Sequence, residues 1–187
     1  MAQYGFYFDQ SRCTGCFTCQ VACKDWHDIE AGQVNWMKVI EIEEGQFPHP
    51  FLAYLTNTCY HCARPACMNA CPANAISKRE RDGVVIVDHE KCLGREECGA
   101  LCHKACPWKA PQFNSHENAK MQKCDLCFER LEQGLKPICV EACPMFALDA
   151  GPMEELEEKY GKNTHAKGFN HSKKLWPSIV FKSRLES

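Results

Sequence analysis

Cysteine is the residue whose abundance and spacing carry chemistry in this chain: sixteen of 187 residues are Cys, in four groups of four. The first group is Cys13, Cys16, Cys19 and Cys23, with spacings x2, x2 and x3. The second is Cys59, Cys62, Cys67 and Cys71 (x2, x4, x3), and the third is Cys92, Cys98, Cys102 and Cys106 (x5, x3, x3). The fourth is Cys124, Cys127, Cys139 and Cys143 (x2, x11, x3). Thiolates are soft ligands, and a 4Fe-4S cube takes four of them, one at each iron. A Cys-x2-Cys-x2-Cys run wraps a short loop over three corners and leaves its amides free to bond cluster sulfur. The fourth corner must then come from elsewhere.

Two other uses of cysteine fail on composition and spacing. A disulfide scaffold needs an oxidising compartment, and residues 1–12 (MAQYGFYFDQSR) have neither the basic nor the apolar region of a secretory signal. Zinc sites use Cys-x2-Cys pairs, whereas the first group has three Cys at consecutive x2 spacings and Pro72, Pro107 and Pro144 follow the last Cys of the other three. The formal charge of −2 and pI near 6.4 give no electrostatic reason for a nucleic-acid partner. No run approaches the ~18 apolar residues of a membrane span, so any membrane association is expected through a partner. None of the eight His lies in a metalloprotease-like spacing, and no phosphate-cradling Gly loop or dinucleotide fingerprint is present. The histidines read as solvated or core-capping. Trp26 and Trp108, each close behind a Cys group, read as rings packed over the cubes to exclude water.

The elements that must hold these loops show an internal duplication. The first and third groups each follow a β-type run ending in Asp (residues 4–9 and 84–88), then three residues, a Cys, and Gly two further on (Gly15, Gly94). The second and fourth groups share another template: Pro65 and Pro137 stand two before the third Cys, and Cys-Pro-x-x-Ala-Ile/Leu closes both. The repeated unit is a pair of motifs. Residues 35–43 and 51–58 read as strands of a hairpin separated by a loop over 44–50. Residues 152–160 read as a short surface helix with Pro152 at its first position. A polar, loop-like tail over 161–174 leads to residues 175–182, an edge strand because Pro177 cannot sit in a central one.

From residue 1 to about 160 the chain resembles the four-cluster iron-sulfur subunit of the dimethyl sulfoxide reductase family. The resemblance rests on QYGFYFDQSRCTGCFTCQVACKD (3–25), HCARPACMNACPANAI (61–76), DGVVIVDHEKC (82–92), ACPWKAPQF (105–113) and KCDLCFERLEQGLKPICVEACPMFALDAGPMEEL (123–156). It implies an α+β fold of two pseudo-symmetric ferredoxin-like lobes, each with two 4Fe-4S clusters, a β-hairpin insertion and a short C-terminal helix and tail. Residues 1–30 with 115–150 form one lobe (first and fourth groups), 31–114 the other (second and third groups), and 151–187 the helix and tail. Crossed ligation, as in two-cluster ferredoxins, then assigns Cys13, Cys16, Cys19 and Cys143 to one cube and Cys124, Cys127, Cys139 and Cys23 to its neighbour. Cys59, Cys62, Cys67 and Cys106 hold a third, and Cys92, Cys98, Cys102 and Cys71 a fourth. One departure lies in the third group, where the family's x2, x2 becomes x5, x3. The implied function is non-catalytic: single electrons relayed through four clusters between a large molybdenum or tungsten bis-pterin subunit and a membrane quinone-interacting anchor subunit or soluble carrier. The alternatives are a free-standing polyferredoxin and the relay subunit of a hydrogenase, formate or polysulfide complex. The expected location is the cytoplasm or a peripheral position on a membrane complex, with export on a twin-arginine-tagged partner open to it.

Overall fold

A computed structural model describes residues 2–184. Its elements in chain order are β1 (Tyr4–Asp9), α1 (Thr18–Trp26), β2 (Lys38–Gln46), β3 (His49–Asn57), α2 (Ala66–Asn69), β4 (Ile76–Lys78) and β5 (Val85–Val87). Then come α3 (Arg95–Cys98), α4 (Leu101–Ala105), α5 (Phe128–Glu132), α6 (Ile138–Glu141), β6 (Leu148–Pro152), α7 (Met153–Tyr160) and β7 (Ile179–Lys182). The result is a mixed α/β, ferredoxin-like fold of small sheets and short helices. The longest helix, α1, has nine residues, shorter than a helix needs to persist alone in water. Each helix therefore depends on packing and on what its cysteines hold.

The three-stranded sheet β6-β1-β7 is organised by the aromatic alternation of β1. Phe6 and Phe8 face a core containing Cys19, Cys23, Cys124 and Cys143, and are 1% and 0% exposed. Burying each contributes about 1.5–3 kcal/mol. Tyr7 faces the other way, onto Leu156 of α7 and Val180 of β7, and its ring stacks on Tyr160 at 3.6 Å. β1 runs antiparallel to β6, with Tyr4 opposite Pro152 and Phe8 opposite Leu148, and parallel to β7, with Phe6 opposite Ile179. A Cβ at Gly5 would lie 2.2 Å from the Ser178 carbonyl oxygen, so only glycine admits that approach. This sheet joins the strand entering the first Cys group to the strand leaving the fourth. β4 and β5, antiparallel with Ile76 opposite Val87, do the same for the exit of the second group and the entry of the third.

The hairpin is longer than its sequence suggests. β2 and β3 pair from Lys38 opposite Asn57 to Gln46 opposite His49, which leaves only Phe47 and Pro48 at the tip. Residues 44–50 read as a loop because the outer hairpin is exposed on both faces and so carries no alternating hydrophobic signal. At its base, Tyr54 lies against the first Cys loop: a Cβ on Gly15, whose φ is +68°, would stand 2.3 Å from that ring.

Pro152 still pairs with Tyr4 in β6 and caps α7 instead of occupying its first turn. α7 buries Leu156 to 3% exposure and is otherwise a surface helix. β7 lies at the edge of the sheet but spans only Ile179–Lys182, so Pro177 precedes it and the strand expected over 175–182 is shorter. The tail before it does more than loop: Phe169 stacks parallel to Trp108 at 5.8 Å and meets Tyr60 edge-on at 5.2 Å.

Candidate metal centres

Three cavities are each lined by four cysteines. Cys13, Cys16, Cys19 and Cys143 line one, walled by Phe8, Val39 and Leu148. Cys59, Cys62, Cys67 and Cys106 line the next, walled by Tyr60, Trp108 and Leu175. Cys71, Cys92, Cys98 and Cys102 line the third, walled by Ile76, Val87, Phe113 and Met121. The remaining cysteines, Cys23, Cys124, Cys127 and Cys139, make a fourth candidate set: all are buried, and Cys23 and Cys127 act electrostatically on both Cys124 and Cys139, ahead of Cys59 on the first and Cys19 on the second. In every set three cysteines come from one group, and the last Cys of another group (Cys143, Cys106, Cys71 or Cys23) completes it. The stretched third group reaches its cavity because the extra residues coil into α3, which brings Cys98 back. The Cys98 thiol there donates to the Gly94 carbonyl at 3.0 Å.

The backbone of these loops is shaped by residues with left-handed dihedrals at matched positions. His61 and Leu126 precede the second Cys of the second and fourth groups (φ 41° and 62°). Asn74 and Phe146 stand three beyond the last Cys of the same groups (φ 49° and 50°). For residues other than Gly this conformation costs roughly 1–2 kcal/mol, and such strain concentrates at functional sites. It turns the next amide onto sulfur: Ala75 N–H donates to Cys71 Sγ and Ala147 N–H to Cys143 Sγ, both at 3.3 Å. Leu126 N–H reaches Cys124 Sγ at 3.3 Å and Met121 N–H reaches Cys92 Sγ at 3.4 Å.

Several of these thiols resist ionisation. Burial, with help from neighbouring thiols, pushes Cys19 and Cys23 up to about 12. Burial raises Cys124 and Cys139 well above the ordinary thiol value. Exposed Cys16 is the exception, lowered by hydrogen bonding with Thr18. Four clustered thiolates need a positive centre among them, and iron supplies it. A second observation also fits iron-sulfur clusters. The buried side-chain N–H groups with no partner among the described residues are His61 Nε2 and Trp108 Nε1, next to Cys62 and two residues past Cys106. Cluster sulfur would give these donors an acceptor.

Two side chains differ from the sequence reading. His27 is neither solvated nor a bare core cap: its Nε2 lies 3.3 Å from Cys127 Sγ and 3.8 Å from Asp125 Oδ1, with its ring 4.5 Å from that of Trp36. Only the fold brings residue 27 to residue 127. Trp26 lines none of the three cavities described above; it is 50% exposed, beneath the Arg130 guanidinium at 4.5 Å. Trp108 does wall its cavity, as expected. Lys123, unremarked in the sequence, is 2% exposed.

A family model described as a 4Fe-4S dicluster domain matches residues 50–153. A polypeptide of the anaerobic dimethyl sulfoxide reductase of Escherichia coli (strain K12) is 42% identical over 193 residues, covering 99% of this chain and 91% of that one. The protein belongs to the iron-sulfur subunits of the dimethyl sulfoxide reductase family. The corresponding polypeptide of the Haemophilus influenzae anaerobic dimethyl sulfoxide reductase is also 42% identical, covering 97% of this chain and 90% of its own. A putative dimethyl sulfoxide reductase iron-sulfur subunit of Halobacterium salinarum is 31% identical, covering 87% and 71%. As a member of this family the protein is an electron-transfer subunit of an oxidoreductase complex and not its catalytic subunit, and its cofactors are iron-sulfur clusters. No helix among the described residues is long and apolar enough to cross a membrane.

Proposed function

We propose that the chain relays single electrons through four 4Fe-4S clusters between a large molybdenum or tungsten bis-pterin subunit and a membrane quinone-interacting subunit or soluble carrier. The observation that carries this reading is the gathering of sixteen cysteines into four sets of four, each completed from a second group. When bound, the clusters supply one-electron storage at each set. The residues do the rest. Crossed ligation assigns one cube to Cys13, Cys16, Cys19 and Cys143, the next to Cys23, Cys124, Cys127 and Cys139, a third to Cys59, Cys62, Cys67 and Cys106, and a fourth to Cys71, Cys92, Cys98 and Cys102.

The sets form a series. α1 carries Cys19 of the first and Cys23 of the second, and Cys139 and Cys143 link the same two across the end of α6. Cys59 acts electrostatically on Cys124, which puts the second set beside the third. Cys67 lies in α2 with Cys71 just past its end, while Cys102 lies in α4 with Cys106 just past its end, and both pairs join the third set to the fourth. On this reading residues 1–30 with 115–150 form one lobe, 31–114 the other, and 151–187 the C-terminal helix and tail. Phe8, Tyr60, Trp108 and Met121 keep water from the cavities. Cys16 is exposed beside Phe17 and near Met145 and Phe146, which are 41%, 40% and 75% exposed. That apolar rim is where the first set would meet the large subunit, and export would follow that subunit's twin-arginine signal.

Anaerobic purification of the native complex tests the proposal. The chain should carry about sixteen iron and sixteen acid-labile sulfide and co-purify with a large pterin-metal subunit. A chain with its full iron that migrates alone would be a free polyferredoxin, and a chain with zinc and no sulfide would refute the reading.

A further inference from the structure

Lys123 is a buried cation without a carboxylate. It is 2% exposed, among the largest fully enclosed side chains of the protein. Among the described residues no carboxylate forms an ion pair with it. Its amine donates to the Val85 carbonyl and, at 2.9 Å, to the Cys124 carbonyl. Carbonyl dipoles satisfy the N–H groups but do not neutralise the charge, and a buried charge is held at high cost unless an opposite charge lies close. Lysines are almost never enclosed to this degree unless paired.

The two carbonyls locate the amine. Val85 lines the cavity of Cys59, Cys62, Cys67 and Cys106, and its own N–H is accepted by His61 Nδ1 at 3.0 Å. Cys124 belongs to the neighbouring set with Cys23, Cys127 and Cys139. Lys123 thus bridges β5 to the start of the fourth Cys group, between the two inner sets of the series. The nearest candidates for an opposing negative charge are the thiolates of these two sets.

We propose that Lys123 is the counter-charge of the two inner clusters and raises the reduction potential of the cube on Cys59, Cys62, Cys67 and Cys106. A reduced cube is one charge more negative than an oxidised one, so a fixed cation beside it favours reduction, and burial leaves little water to screen the effect. The cation thereby eases the step between the two halves of the relay. The inference rests on the cluster assignment above, and iron and sulfide content reports on that assignment independently of any potential. Lys78 provides an internal comparison. Its amine donates to the Cys62 and Ala63 carbonyls at 3.0 and 3.2 Å, but it is only half-buried, so solvent weakens its action.

The test is a redox titration of the intact complex followed by paramagnetic resonance, for Lys123→Met, Lys123→Gln, Lys123→Arg and Lys78→Met. With sixteen iron retained, the Met and Gln variants should lower one inner potential most, its inner neighbour less, and the outer two not at all. Lys123→Arg should stay near the parent, and Lys78→Met should shift less than Lys123→Met. If the neutral variants instead lose one cluster's iron while Lys123→Arg keeps it, the counter-charge role is supported by that route. Unmoved potentials at full iron content, or the same shift or iron loss in Lys123→Arg, would overturn it. A parent protein without iron and sulfide would overturn the cluster assignment itself.

Discussion

Cys23→Ser separates crossed from local ligation. Cys19 and Cys23 lie one turn apart on α1, the spacing that puts two side chains on one helix face. Local ligation would send both to one cube. The neighbours of their sulfurs argue otherwise. Cys19 is acted on by Cys13, Cys143 and Cys16, whereas Cys23 is acted on first among the thiols by Cys127 and only weakly by Cys19. Cys23 is also 5% exposed, so no water route offers a replacement ligand. Serine removes one soft ligand from a four-ligand site, and the expected loss is one cube, about four of sixteen iron per chain. Its identity comes from three partner variants, each assayed by iron content and by the resonance of the reduced protein. Cys127→Ser should lose the same signal as Cys23→Ser, while Cys16→Ser and Cys143→Ser should share the loss of a different one. If Cys23→Ser loses the signal that Cys16→Ser loses, ligation is local and the crossed assignment is wrong.

Two further outcomes follow from charge and burial. Asp149, 9% exposed, pairs with Lys136 at 2.8 Å and Lys159 at 3.2 Å and accepts from the Tyr160 hydroxyl at 2.8 Å, tying β6 to α7. Burial alone would raise its pKa, but hydrogen bonds from Lys136 and Tyr160 outweigh it and hold the carboxyl at about 2, against an ordinary 3.8. The stabilisation, roughly 2 kcal/mol at 1.36 kcal/mol per unit, is fully present above the ordinary value and lost as pH falls through the depressed one. Asp149→Asn should therefore speed hydrogen exchange in α7 and β7 about 30-fold at neutral pH, and unchanged exchange would contradict the linkage. Cluster insertion should release protons, because burial pushes Cys23 and Cys67 up to about 12 and they enter the apo fold as thiols. Reconstitution should improve as pH rises, with proton release readable by an indicator dye; insertion without proton release would show the thiols already ionised.

Which residues are candidate iron ligands was legible from local spacing, because a loop that wraps a cube must place three sulfurs within a few residues. The strands and the pairwise duplication were legible for the same reason: alternation in β1 and the Pro positions before the third Cys are short-range signals. The outer hairpin was misread where exposure on both faces erases that signal. The completion of each set was a different matter. That Cys143 joins Cys13 and Cys71 joins Cys92 depends on β6 pairing with β1 and β4 with β5, long-range register that no local pattern contains. His27 reaches Cys127, and Lys123 lies enclosed between two sets, through the same chain crossings. In the sequence a lysine before a Cys looks like any solvated lysine. Only packing removes its water, and without water its charge must be answered by what lies beside it.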